Sequence, residues 1–432
     1  MNKKAIIIGC GAAGMMCAVN LSNQGYKVTV FEKNDKPGKK LFITGKGRCN
    51  LTNNCNEEEL LKNVVTNPKF MYSAFNNFNA TDTIEFFEKE GLRLKTERGN
   101  RVFPISDHSS DVINTLITKL NKFNVDINFN TTIKEVITEE TEIKETDTEK
   151  TQENKKDKYE KKAIGVTYIT KDTTKKMYAD KVIVATGGVT YPMTGSTGDG
   201  ILWAQKLGLK TTDLKPALVS VLTKEKFVKD IMGLALKNVT VSFVTKVKNK
   251  EKTVYSEFGE MLFTHNGISG PIVLSASSYL HKYDDQIIKI YIDLKPALTV
   301  EQLDERIIRD FNSNINKQFR NAINDLMPKN LLPYVIEMSG IDPYKKVNEI
   351  SREERQRFVK CVKSFELTMN GYGGMNEAII TQGGVNVKEI NPQTMEVKRI
   401  KNLHYIGEAL DVDALTGGYN LQIAWSTAMS VI

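Results

Sequence analysis

The apolar run Ala5-Ile6-Ile7-Ile8 is too short for a helix and too uniform for a one-sided strand, so it predicts a strand buried on both faces. An apolar helical stretch follows, and Lys27-Val28-Thr29-Val30-Phe31 predicts a second strand. The pattern recurs at Lys181-Val182-Ile183-Val184, a buried strand that breaks at a glycine pair, with helices expected over 111–123 and 199–207. Strands are also expected near 133–137 and 163–170, flanking a stretch at 139–162 too charged and polar to bury a core, which predicts a solvated hairpin tip. From 216 to about 293 polar and apolar residues alternate, as in Asn238-Val239-Thr240-Val241-Ser242-Phe243 and Gln286-Ile287-Ile288-Lys289-Ile290-Tyr291-Ile292, which predicts strands with one buried face. Residues 299–362 predict several short helices broken at Pro328, Pro333 and Pro343, one of them opened by the capping box Ser351-Arg352-Glu353-Glu354. A strand over 365–369, another from Leu403 and a final apolar helix over 423–432 complete the chain. The order predicts an α/β protein with a discontinuous first domain, 1–213 and 374–432. A β-rich domain, 214–297 and 363–373, and a helical subdomain, 298–362, are inserted into it.

The first strand runs into Gly9-Cys10-Gly11-Ala12-Ala13-Gly14 and the second ends at Glu32, which together make a dinucleotide fingerprint. Gly9 permits the tight turn, Gly11 lets backbone approach a pyrophosphate, and Gly14 lets the helix lie close on the strand, so that the helix N-terminus meets phosphate. Glu32 is placed to accept hydrogen bonds from a ribose. The loop that follows, from Lys33 through Lys40 to Thr44-Gly45-Lys46-Gly47-Arg48-Cys49-Asn50-Leu51-Thr52-Asn53, is longer than a plain NAD domain needs. It suits a segment that wraps the adenosine and pyrophosphate of FAD and runs on toward the flavin. Two distant segments fit the same cofactor: Thr186-Gly187-Gly188, where backbone can come close, and Glu408, Asp411 and Gly418-Tyr419-Asn420-Leu421, an acidic turn followed by glycines at a helix start. Val136 completes the expected cofactor-binding set.

The strings TGKGRCNLTN (44–53), ATGG (185–188), YPMTGSTGDG (191–200), FGEMLFTHNGISGP (258–271), TQGGV (381–385) and GEALDVDALTGGYNLQIA (407–424) resemble bacterial NAD(P)/FAD-dependent oxidoreductases, the aminoacetone-oxidase-like and BaiN-like flavoproteins. The resemblance spans nearly the whole chain. It implies a two-dinucleotide-binding type of FAD domain with an inserted β domain and a helical subdomain, and it implies a substrate much less firmly.

Composition narrows the chemistry. The chain has 432 residues, 40% of them hydrophobic, which is room for two or three domains of a soluble protein, and no apolar run long enough to cross a membrane. Its start leads into a strand rather than a signal peptide, so a cytoplasmic location is expected. Five cysteines at irregular spacing make no disulfide framework, and Cys49 and Cys55 lack the spacing of a flavin-linked dithiol. The net charge of +8 comes from scattered lysines, so small molecules are the expected partners and nucleic acid is not. The four histidines give no metal spacing.

A second GxGxxG unit is absent from the sequence, so an NAD(P)H donor would bind transiently. The expected activity is hydride transfer between flavin and a small organic substrate, either reduction of an enone-type C=C bond with NAD(P)H or oxidation of an amine or alcohol. The alternatives are a flavoprotein acting on RNA and a non-catalytic flavin-binding regulator. His265, with a reference pKa near neutrality, is the candidate proton donor or acceptor, or else a residue that only holds its turn. Arg48 is a candidate for substrate binding or for the FAD diphosphate.

Overall fold

The computed structural model describes residues 3–141 and 159–432, which divide into two compact units, 1–216 with 379–432, and 217–378. Most of the charged 139–162 stretch lies outside the described residues.

Unit 1 is built on a five-stranded parallel sheet. Its strands are β1 (Lys4–Ile8), β2 (Lys27–Phe31), β3 (Asp126–Asn128), a later strand Lys181–Val184, and the C-terminal strand Leu403–Tyr405. The spatial order is Leu403–Tyr405, Lys181–Val184, β1, β2, β3. Isoleucines 6, 7 and 8 are buried because β1 lies in the middle of this order, with a neighbour on each edge. The helix α1 (Ala12–Asn23) connects β1 to β2, and α2 (Ser109–Lys122) precedes β3. Consecutive strands extend the sheet to one side of β1 and the late strands extend it to the other, so a topological switch falls beside β1, where doubly wound folds bind their ligands. A second sheet is formed by β4 (Thr132–Glu140), β5 (Lys161–Thr170), β6 (Thr173–Tyr178) and the short strand Ile400–Lys401, and the described ends of β4 and β5 pair Glu139 with Lys162 and Glu140 with Lys161.

Unit 2 is centred on a closed six-stranded barrel. Its strands are β7 (Val221–Thr223), β8 (Ala235–Val247), β9 (Lys250–Phe263), β10 (Gly267–Ser269), β11 (Lys289–Asp293) and β12 (Phe365–Tyr372), in the order β7, β10, β9, β8, β11, β12. Closure removes open edges. The alternation read from the sequence places Val239, Val241 and Phe243 inside, where they share one apolar core with Leu303, Ile307, Phe319 and Phe358 from the helical stretch. Barrel and helices therefore form a single compact unit. The helices Val300–Asn312 and Arg352–Lys363 both begin with complete capping boxes, Thr299 with Gln302 and Ser351 with Glu354.

Three details differ from the sequence pattern. Pro333 lies in the first turn of a helix, Leu332–Ser339, where its missing N–H costs nothing, instead of breaking one. β11 starts at Lys289 rather than Gln286, and ahead of it the Thr245 hydroxyl bonds Gln286 Oε1 at 3.1 Å and the Ile287 carbonyl at 2.9 Å. The final helix runs over Tyr419–Met429, starting four residues early: Gly418, at φ +100°, makes the entry turn, and the Asn420 amide ties down the preceding loop.

Candidate functional site

The fingerprint glycines are required by their surroundings. Gly9 has φ +104°, and a Cβ there would lie 2.6 Å from the Ala185 carbonyl oxygen. A Cβ on Gly14 would lie 1.9 Å from the Gly9 oxygen, so only glycine lets α1 settle on the turn. Gly11 is the opposite case, since an added Cβ meets nothing within 4 Å and the backbone faces open space. No side chain caps α1 at Gly11, and its first turn carries no acidic residue. Its leading N–H groups are therefore available to an anion. Glu32, buried at the end of β2, accepts from the Cys10 N–H at 2.8 Å, the Asn34 N–H at 2.9 Å and the Asn34 amide at 2.7 Å. These bonds fix the carboxylate and occupy three of its about four acceptor sites, leaving one on Oε2 for a hydroxyl donor.

The loop after β2 is folded tightly. Gly45, Lys46, Gly47 and Cys49 all have left-handed φ values, and for Lys46 and Cys49 that conformation costs about 1 kcal/mol or more each. The Asn50 Oδ1 and Thr186 Oγ1 atoms are buried with no protein partner among the described residues, which fits a site completed by a polar ligand. The open backbone at Gly11, the uncapped helix and the fixed Glu32 carboxylate, at the C-terminal ends of the central strands, together with these two atoms fit FAD.

Most of the loop cations are already paired. Lys40 Nζ contacts Glu408 at 2.7 and 2.9 Å and Thr190 Oγ1 at 2.8 Å. Glu408 also accepts from the Thr381 N–H at 2.9 Å, so it is a hub joining three distant segments. Lys33 bonds Asp199 at 2.8 Å as well as Thr197, and Lys39 bonds Asp35. Arg48 is held by Asp107, at 2.8 Å from Nε, and by Glu97, at 2.5 Å from Nη2, with its guanidinium 4.2 Å from the Phe103 ring centre. Lys95 and Arg48 hold the Asp107 carboxyl below its usual range, and Arg48 does the same for Glu97. The positive charge expected beside a diphosphate is thus largely neutralised within the protein, and helix and backbone N–H groups remain as the anion donors.

The other expected residues are placed as follows. Val136 is a core residue of β4. Ala12 and Ala13 form the first turn of α1, and Gly47 faces open space. Cys49 is fully buried, and burial pushes its thiol up to about 12; the half-buried Cys55 is raised to about 11, so neither is a ready thiolate. Gly187, at φ +72°, lies against Ser196, and a Cβ on Gly188 would strike Thr381. A Cβ on Gly418 would lie 2.4 Å from the Thr52 carbonyl. Tyr419 is nearly buried and Leu421 half-buried, while the Asn420 side chain is engaged with Ala414 and Leu415. His265 is exposed in the turn between β9 and β10 of unit 2.

Sequence reasoning quoted Gln422 only as part of a motif and missed its role. It is fully buried, accepting from Thr52 at 2.6 Å and Thr83 at 2.9 Å and donating to the Phe78 carbonyl and Ser426. A glutamine flanked by Leu421, Ile423, Ala424 and Trp425 in the same helix was the available signal.

Asp411 gives a test of site electrostatics. Burial raises its carboxyl above the ordinary value, against hydrogen bonds from Thr212 and Asn67 that lower it. The folded state then binds this proton more tightly than the unfolded chain, so the associated stability is present below the unfolded pKa and is lost as pH rises through the folded one. Asp411→Asn is expected to raise the apoprotein Tm at pH 7, with the difference closing toward about pH 4. A Tm difference independent of pH would overturn this.

Comparisons with known proteins identify the family. The family model described as HI0933-like protein Rossmann domain matches residues 3–431. The ribosomal RNA dihydrouridine synthase of Escherichia coli is 29% identical over 424 residues, covering 98% of this chain and 96% of its own. The 3-dehydro-bile acid delta(4,6)-reductase of Clostridium scindens is 28% identical over 429 residues, with the same coverage. Among solved structures, the 3-ketosteroid delta1-dehydrogenase of Sterolibacterium denitrificans shares the fold, with a TM-score of 0.52, 13% identity, and coverage of 99% of this chain and 98% of its own. The chain belongs to the HI0933-like Rossmann family, a family of FAD-dependent oxidoreductases.

Proposed function

We propose that this protein reduces a carbon–carbon double bond conjugated to a carbonyl, and that its substrate is uridine in ribosomal RNA. The observation that carries the reading is the near full-length similarity to two proteins whose names describe different substrates with one reactive group in common. Dihydrouridine is uridine with the double bond beside its C4 carbonyl saturated. A 3-oxo steroid with unsaturation at C4 and C6 presents the same polarised bond. In both, the carbon β to the carbonyl accepts a hydride and the α carbon takes a proton.

FAD, when bound, supplies a two-electron carrier between NAD(P)H and the β carbon. Glu32 would hold its ribose, the N-terminus of α1 its pyrophosphate, and Asn50, Thr186 to Gly188 and Glu408 its remaining polar groups. Arg48, saturated by its two carboxylates, would hold the 45–50 loop in shape. The balance is one NAD(P)H and one proton consumed for each double bond saturated, and the reaction would take place in the cytoplasm. Ribosomal RNA comes first, ahead of the small molecules that the sequence favours, because two relatives named for it, 29% and 30% identical, each match 98% of this chain, against one named for a bile acid. The second reading, a steroid-like enone, is favoured by the bile-acid reductase.

An anaerobic titration separates them. NADH or NADPH is expected to bleach the visible flavin band of the holoenzyme, and a uridine-containing ribosomal RNA fragment is expected to restore it, with the RNA gaining the mass of a hydrogen pair. Recovery with a steroid enone alone would favour the second reading, and failure to take up FAD would sink both.

A further inference from the structure

Unit 2 carries a cavity of about 250 Å³ bounded by Tyr283, Asp284, Gln286, Asn370 and Tyr372. The Tyr372 hydroxyl donates to Asp284 Oδ1 at 2.7 Å, and its ring packs on His281 with centres 4.1 Å apart, which holds the aromatic wall. Gln286 is oriented through its Oε1 by Thr245, and its amide nitrogen has no partner among the described residues. The exposed Asn370 side chain likewise has none. Aromatic faces with amide donors and acceptors between them form the combination that recognises an unpaired nucleobase.

Beside the cavity, the β8–β9 hairpin extends beyond the barrel. The ladder between β8 and β11 stops at Val244 with Lys289, and β9 meets β10 only at residues 262 and 263, so 245–252 pair only with one another. That extension carries Lys246, Lys248, Lys250 and Lys252, all exposed and none in an ion pair among the described residues. The register sets Lys252 opposite Thr245 and Lys250 opposite Val247, on the face whose Thr245 hydroxyl holds Gln286. Lys252 Nζ lies 5.3 Å from the ring centre of Tyr283, which bounds the cavity. Lys250 and Lys252, two residues apart and so about 7 Å along the strand, lead away from the cavity mouth. The one carboxylate of the extension, Glu251, is on the other face, opposite Lys246.

We propose that this cavity and the adjoining lysines bind an unpaired nucleotide of the RNA substrate, with the base in the cavity and its neighbouring phosphates on Lys250 and Lys252. The proposal rests on the ribosomal-RNA reading of the function. A row of cations leading out of a base-sized cavity fits a strand better than a single nucleotide, which has no continuation for the outer lysine to hold.

The test is fluorescence anisotropy of a fluorescein-labelled oligouridylate with the holoenzyme at several salt concentrations, together with KM and kcat for a ribosomal RNA fragment. Lys250→Gln with Lys252→Gln is expected to weaken binding about tenfold at low salt. It should also flatten the slope of log affinity against log salt by about 1.4, at about 0.7 per phosphate contact. Asn370→Ala is expected to weaken binding while leaving that slope unchanged, because it removes a base contact and no charge. Both changes are at exposed positions and spare the core. Unaltered oligouridylate affinity in both variants would overturn the proposal, as would a matching rise in KM for NADPH, which would make the cavity a dinucleotide site. If the lysine variant reduces ribosomal RNA with parental KM, the site fails and the functional reading stands. If oligouridylate binds as described but no RNA is reduced, the reading fails and the site stands.

Discussion

Gly11→Ala is expected to leave the apoprotein as stable as the parent while weakening FAD binding about tenfold or more, and Gly14→Ala is expected to lose stability and FAD retention together. The difference follows from what each new methyl group meets. At Gly11 it meets no protein atom within 4 Å, so only a ligand can sense it. At Gly14 it would lie 1.9 Å from the Gly9 carbonyl oxygen and 3.4 Å from the Ala185 side chain, which forces α1 off the turn. Overpacking of that kind costs about 1–3 kcal/mol, and here it also displaces the N–H groups that face the phosphates. Thermal unfolding of the two apoproteins and titration with FAD, followed by quenching of flavin fluorescence, separate the effects. Parental FAD affinity in Gly11→Ala would mean that the open backbone there is not the pyrophosphate cradle.

How much of this was legible in the sequence depends on how local the cause was. The β1 turn and α1 were readable because their determinants lie within a few residues: an apolar run, three glycines at fixed offsets and an acidic strand end. The barrel strands were readable as strands, since alternation reports one buried face, but their closure was not, because pairing β7 with both β10 and β12 is a long-range choice. The reach of the β8–β9 hairpin was also invisible, since lysines on an exposed extension read like any solvated turn.

Charge was the weakest signal. Lys33, Lys39, Lys40 and Arg48 stand in one basic loop that Asp199, Asp35, Glu408, Glu97 and Asp107 neutralise. Four of these five carboxylates are distant in sequence, and only Asp35 to Lys39 has the separation of a local pair. The consequence reaches the chemistry, because anion binding in unit 1 then depends on backbone N–H groups, which no composition count reveals.

Gln422→Leu is expected to destabilise the protein by about 3 kcal/mol, the largest single-site loss outside the glycines, although the two side chains are similar in size. The amide is fully buried and joins strand Thr52–Asn53, helix Ala80–Lys89 and the final helix. Leucine would leave the Thr52 hydroxyl without its acceptor. Thr83 retains the Asn79 carbonyl, and the Phe78 carbonyl retains Ser426, so the cost stays below that of four lost bonds. Gln422→Glu separates hydrogen bonding from packing. A protonated carboxyl can accept from Thr52 and Thr83 and donate toward Ser426, whereas an ionised one would be a buried charge with no cation beside it among the contacts of Gln422. Desolvation raises the pKa of the introduced carboxyl. Its folded state then binds the proton more tightly than the unfolded one, so near-parental stability is expected at about pH 4, with a deficit that grows as pH rises through the raised value. Urea unfolding across that range decides it. A Gln422→Leu protein as stable as the parent would show that the network orders the site without stabilising it.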